Sequence, residues 1–69
     1  MPITLAKPSE IVTIRKITGP YRVRQHLAEL GFVVGESVMV VSENGGAVIL
    51  QVKGARVAIG KTMANRIIV

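Results

Sequence analysis

The sequence predicts an all-β domain, a small and partly open barrel of about five short strands with one inserted α-helix. Three observations carry that expectation. After Glu36 apolar and polar residues alternate with period two, glycines interrupt those runs at strand-like intervals, and only the stretch around residues 20–30 repeats its apolar residues with helical spacing. A two-stranded ribbon is unstable in water, so short antiparallel strands bury one face by curling a bent sheet toward closure. The chain of 69 residues has room for one core and no second one, so residues 1–69 are expected to form a single domain.

Met1 to Pro8 reads as a short leader. Ser9 to Ile17 carries β-branched residues at 11, 12, 13, 14 and 17, which suits a pleated surface, and is expected to be the first strand. Thr18-Gly19-Pro20 opens a helix, with Pro20 set for its first turn and Thr18 or Gly19 as cap. Val23, Leu27 and Leu30 then recur at i, i+4 and i+7, predicting an amphipathic helix over Pro20 to Leu30 that Gly31 ends in a left-handed conformation. From Glu36 the period becomes two. Val38 to Val41 forms the second strand, Asn44-Gly45 or Gly45-Gly46 a tight turn, and Val48 to Lys53 the third strand. Gly54 reverses the chain into Arg56 to Ile59, Gly60-Lys61-Thr62 breaks that strand, and Ile67 to Val69 closes the sheet.

This parity assigns Val38, Val40, Val48, Leu50, Val52, Val57, Ile59 and Ile67 to the core, with Val23, Leu27 and Leu30 packing the helix over one end. Met39, Val41, Ile49 and Ile68 have the opposite parity, so they are expected under loops or in a patch that a partner covers.

Composition narrows the functional classes. The chain lacks Cys, Trp and Asp, and its only aromatic side chains are Tyr21 and Phe32, which excludes a thiolate metal site and a disulfide scaffold. It also removes the aromatic platform on which single-stranded nucleic acid or proline-rich peptides are bound. His26 is the only histidine. With Glu29 three residues on it could offer two metal ligands, fewer than a stable Zn or Fe(II) site needs, so His26 reads as a solvated surface residue, a site shared between two protomers being the open alternative, and no metal or other cofactor of the single chain is expected. Ser9, Ser37 and Ser42 have no visible His and acid partners, and Gly45-Gly46 is followed by an apolar strand rather than by a phosphate-binding Lys-Ser/Thr, so no enzyme activity is expected. The N-terminus shows no signal-peptide pattern and no apolar run approaches a membrane span, which points to a soluble, cytoplasmic protein.

A binding module remains. Nine basic against four acidic residues give a net charge of +5, and Arg15, Lys16, Arg22 and Arg24 fall within ten positions. That cluster is a solvated face or a dock for an acidic surface. Phe32 and Val33, just past the helix-ending glycine, either plug the barrel end or line a groove between helix and sheet. The candidate partner-binding set is Tyr21, Arg22, Arg24, Leu27, Phe32, Val33 and Val34, Leu27 being also a core position.

Three ordered blocks of residues extend this reading. Leu27-Ala28-Glu29-Leu30-Gly31-Phe32-Val33-Val34-Gly35-Glu36-Ser37-Val38-Met39-Val40-Val41, Val52-Lys53-Gly54-Ala55-Arg56-Val57-Ala58-Ile59-Gly60, and Met63-Ala64 with Ile67-Ile68-Val69 resemble the FeoA family of ferrous iron transport proteins. The resemblance spans roughly residues 9–69. It implies an SH3-like barrel and an accessory role in Fe(II) uptake beside the membrane transporter FeoB. Two departures stand out: Val34-Gly35 replaces the family's Pro-Gly, and the loop between the second and third strands contracts to Asn44-Gly45-Gly46. Two other classes stay open: a regulatory or nucleic-acid-binding small barrel, and a regulator of the transporter's GTPase acting through an arginine.

Overall fold

The computed structural model describes residues 1–69. Its elements run β1 (Ile11–Thr13), β2 (Lys16–Ile17), α1 (Tyr21–Glu29), β3 (Ser37–Asn44), β4 (Ala47–Val52), β5 (Ala55–Gly60), α2 (Lys61–Ala64) and β6 (Ile67–Ile68), preceded by a 3₁₀ turn at Ile3–Leu5. The domain is mostly β with two helices, where the sequence suggested one helix and about five strands. Four strands form an antiparallel sheet in the order β1-β3-β4-β5, and β2 pairs with β6 in a separate ribbon.

Alternation fixes the register of the larger sheet. Val38 sits opposite Val52, Val40 opposite Leu50, Val48 opposite Ile59 and Leu50 opposite Val57, so inward residues face one another across three strands. A bulge between Val40 and Ser42 inserts an extra residue in β3. Met39, Val41, Ile49 and Ile68, the residues of opposite parity, are each half-buried. The two hairpin turns differ in chemistry. Gly45 has φ +62 at the first central position of the β3–β4 turn, whereas both Lys53 (φ +52) and Gly54 (φ +76) are left-handed in the β4–β5 turn, the type I′ pattern that matches strand twist.

The expected strand Ser9 to Ile17 divides between the two sheets. Val12 and Ile14 turn inward, and so does Ile17 in β2, an odd spacing that one uninterrupted strand cannot satisfy. The break falls around Ile14. That residue is 1% exposed, its N–H donates to the Glu36 carbonyl, and its carbonyl accepts from Gly35 N–H.

Two further corrections concern the chain ends. The expected leader contributes Ile3 and Ala6 to the core, its Pro2 bridges to Ile68, and Val69 N–H donates to the Met1 carbonyl at 2.7 Å. Gly60-Lys61-Thr62 breaks the strand as expected, but the break opens the single turn α2, which the sequence did not show; α2 buries Ala64 and is tied to the β3–β4 hairpin by Lys61 N–H on the Gly46 carbonyl.

The resulting core has 13 buried residues, all apolar. It includes Leu27, Val38, Val40, Val48, Leu50, Val52, Ile59 and Ile67 as expected, while Val23, Leu30 and Val57 pack against it half-buried. Ile3, Ala6, Ile14, Phe32 and Ala64 join it from segments without strand or helix periodicity or from short turns.

Candidate functional site

Helix α1 organises the candidate surface, and both of its ends are set by local chemistry. At its start the cap is Pro20, not Thr18 or Gly19, and no side chain bonds the first turn. Pro20 is extended at φ −61, ψ 154, and its carbonyl accepts from the N–H groups of Val23 and Arg24. At its end Gly31 takes φ +105. Gly31 N–H bonds the Ala28 carbonyl at 3.0 Å and Phe32 N–H bonds the Leu27 carbonyl at 2.9 Å, the paired bonds of a Schellman motif. Leu27 and Phe32, which that motif brings together, are both 0% exposed.

This geometry divides the seven sequence-derived candidates. Leu27 and Phe32 are core residues, so neither offers a surface to a partner: the Schellman bonds turn Phe32 back under the helix and beneath the sheet's inner face. Tyr21, Arg22 and Arg24 lie exposed in the first turn of α1. Val33 and Val34 are exposed beyond its last turn, at the far end of a helix about 13 Å long. The candidates form two separate surfaces rather than one. Val34 is the more open of the two valines at 65% exposed, and the chain beside it is pinned by Gly35 N–H on the Ile14 carbonyl.

The first-turn group has neighbours that sequence spacing does not reveal. Arg24 Nε donates to the Gly19 carbonyl at 3.1 Å, and its guanidinium carbon stands 5.8 Å from the centre of the Tyr21 ring. Arg66, more than forty residues away in sequence, lies across the same glycine: a methyl group placed on Gly19 would be 3.4 Å from Arg66 Cδ. The contact follows from the β2–β6 ribbon, which Thr18 N–H extends by bonding the Arg66 carbonyl. Beside these arginines a recess of about 300 Å³ opens between α1 and α2, lined by Val23, Gly60, Thr62, Met63 and Arg66. Sequence reasoning missed Met63 and Arg66 here because it assigned no helix after Gly60. The one available signal was the pair Met63-Ala64, apolar residues between two polar runs.

The remaining charges are dispersed. Lys53 pairs with Glu36 at 3.8 Å and Lys61 with Glu43 at 3.3 Å, both at the surface. His26 is exposed on α1, and nowhere do three His, Cys, Asp or Glu side chains converge as a metal site requires.

Comparison with known proteins places this arrangement in a family. A family model described as the FeoA domain matches residues 1–69. A protein of Methanocaldococcus jannaschii named Fe(2+) transport protein A is 34% identical over 68 residues, which span 99% of this chain and 83% of that one. The crystal structure of an iron uptake regulatory protein, FeoA, superposes with a TM-score of 0.88 at 29% identity, over 97% of this chain and 91% of the other. Stenotrophomonas maltophilia FeoA, solved in complex with zinc and described as a prokaryotic SH3 domain protein, is similar in fold, with a TM-score of 0.84, 24% identity, and 99% and 87% coverage. The chain belongs to the FeoA domain family, which is associated with ferrous iron transport.

Proposed function

We propose that this chain is a non-catalytic accessory protein of ferrous iron uptake that binds the cytosolic region of a FeoB-like membrane transporter. In this reading the two sheets act together as a partly open SH3-like barrel, a rigid cytoplasmic scaffold that reaches the membrane only through its partner. The observation that carries it is the first-turn end of α1. There, in a chain of a ferrous iron transport family, Tyr21, Arg22 and Arg24 are exposed beside an apolar recess and no carboxylate pairs with the arginines. A module that recognises another protein needs such a surface: apolar area for affinity and unpaired charge for orientation.

Titration of the purified chain against the intact transporter in detergent tests this. Saturable binding, weakened by reversing Arg22 and Arg24 together, is the expected result. No binding across a range of salt concentrations and nucleotide states overturns the proposal.

A further inference from the structure

We infer that the recess between α1 and α2 receives an apolar side chain from an acidic protein segment, whose flanking carboxylates are held by Arg66 and Arg24. The inference deepens the partner-binding reading above and rests on it for biological meaning, but not for its test.

Size comes first. At about 300 Å³ the recess is at the lower limit for small-molecule pockets and suits an aliphatic side chain or two. Its apolar lining, Val23 and Met63, is packed against the core on one side and half-exposed on the other. Such a depression accepts a protruding group. A bilayer presents a flat surface and is bound by apolar groups that project from the protein, so the shape favours a protein segment over a lipid.

Charge selects the segment. The guanidinium of Arg24 and the side chain of Arg66 both meet at Gly19, two like charges gathered at one residue. The ion pairs of the molecule, Lys53–Glu36 and Lys61–Glu43, involve neither arginine, and Lys16 is exposed on the adjoining β2. Carboxylates from outside would relieve that repulsion and form charge-assisted hydrogen bonds. A base-stacking partner is disfavoured, because the single exposed aromatic ring, Tyr21, is already engaged by Arg24.

The test is a titration of the isotope-labelled full chain, followed by NMR, with the blocked peptide Glu-Glu-Leu-Glu-Glu. Controls are Gln-Gln-Leu-Gln-Gln, Glu-Glu-Gly-Glu-Glu and phosphatidylserine vesicles. Saturable shifts confined to Gly19, Val23, Gly60, Met63 and Arg66, requiring both the leucine and the glutamates, are expected. Arg66→Glu should weaken the titration at least about tenfold, and the same reversal at Arg56, at the distant end of β5, by less than about twofold. Gly60→Leu supplies an independent block. Gly60 lines the recess, is extended at φ −64, ψ 149, and a Cβ there meets no atom within 4 Å, so a bulky side chain can be added at the wall of the recess without straining the backbone. Equal shifts from the leucine-free peptide, stronger binding to vesicles, or unchanged binding by both Arg66→Glu and Gly60→Leu overturns the inference. Because the transporter takes no part, these outcomes are separate from any failure to bind it.

Discussion

Phe32 distinguishes a packing residue from a binding residue, and the two roles predict opposite signatures for Phe32→Ala. The side chain is 0% exposed and lies under the helix end that its own N–H bond to the Leu27 carbonyl closes. Removing the ring returns roughly 150 Å² of apolar contact to solvent or to a void, at about 25 cal/mol per Å², which is roughly 4 kcal/mol. Phe→Ala substitutions in well-packed cores cost about 3–5 kcal/mol, in agreement. A chain of this length has a total stability of roughly 3–10 kcal/mol, so the variant should unfold at a much lower urea concentration or be largely unfolded in buffer. Phe32→Leu retains most of the volume and should cost about 1–1.5 kcal/mol. Equilibrium urea unfolding followed by far-UV circular dichroism measures both variants. If Phe32→Ala loses less than about 1 kcal/mol while partner binding disappears, the buried assignment is wrong and Phe32 is a contact residue.

Other substitutions probe separate elements. Ile3→Ala, at a position 0% exposed in the N-terminal 3₁₀ turn, should cost about 2–4 kcal/mol in urea unfolding, whereas a detached leader would show no change. Gly31→Ala should cost about 1–2 kcal/mol from backbone strain at φ +105, since the added methyl makes only ordinary contact with Val52 at 3.6 Å; an unchanged melting temperature would contradict the Schellman geometry. Lys53→Asn should raise the melting temperature by about 2–4 °C, because Asn tolerates the left-handed conformation at φ +52 and the exposed pair with Glu36 contributes little. Val34→Ala, at 65% exposure, should leave stability within about 0.5 kcal/mol, so any effect on partner binding would report contact directly.

Elements governed by short-range periodicity were legible in the sequence. The valine alternation of β3 and β4 gives their pairing and inward faces, the turn glycines fall at strand ends, and the spacing of Val23, Leu27 and Leu30 with Gly31 locates α1 to within a residue at each end. What escaped depends on contacts across the chain. Ile14 belongs to no strand and is buried by backbone bonds to the Gly35–Glu36 loop, and Ile3 is buried because the two chain ends bridge through Pro2 and Ile68. A single-turn helix such as α2 is too short to show a helical period, so the apolar pair Met63-Ala64 marked a buried spot without placing Met63 or Arg66 beside α1. The candidate site was therefore half visible. Tyr21, Arg22 and Arg24 could be found from their own neighbourhood, but Arg66, which reaches them through the β2–β6 ribbon, could not.

The distribution of polar groups bears on how such a small domain can act. All 13 buried residues are apolar and no polar or charged side chain is buried, so every group capable of recognition chemistry lies at the surface. There, single charges in water contribute little, and an exposed ion pair stabilises by about 0–1 kcal/mol. Strength has to come from placing several weak groups together on a frame that does not move. The frame is provided by the ends of α1: Pro20 orients the first turn, and the Gly31–Phe32 bonds anchor the last turn to the core through Leu27. Gly19 completes it: at φ +107 it turns the chain into the helix, its carbonyl accepts from Arg24, and Arg66 packs across it. The same glycine thus serves chain reversal and charge convergence, and the helix is better understood as a fixed mount for that cationic edge than as a cover for the sheet.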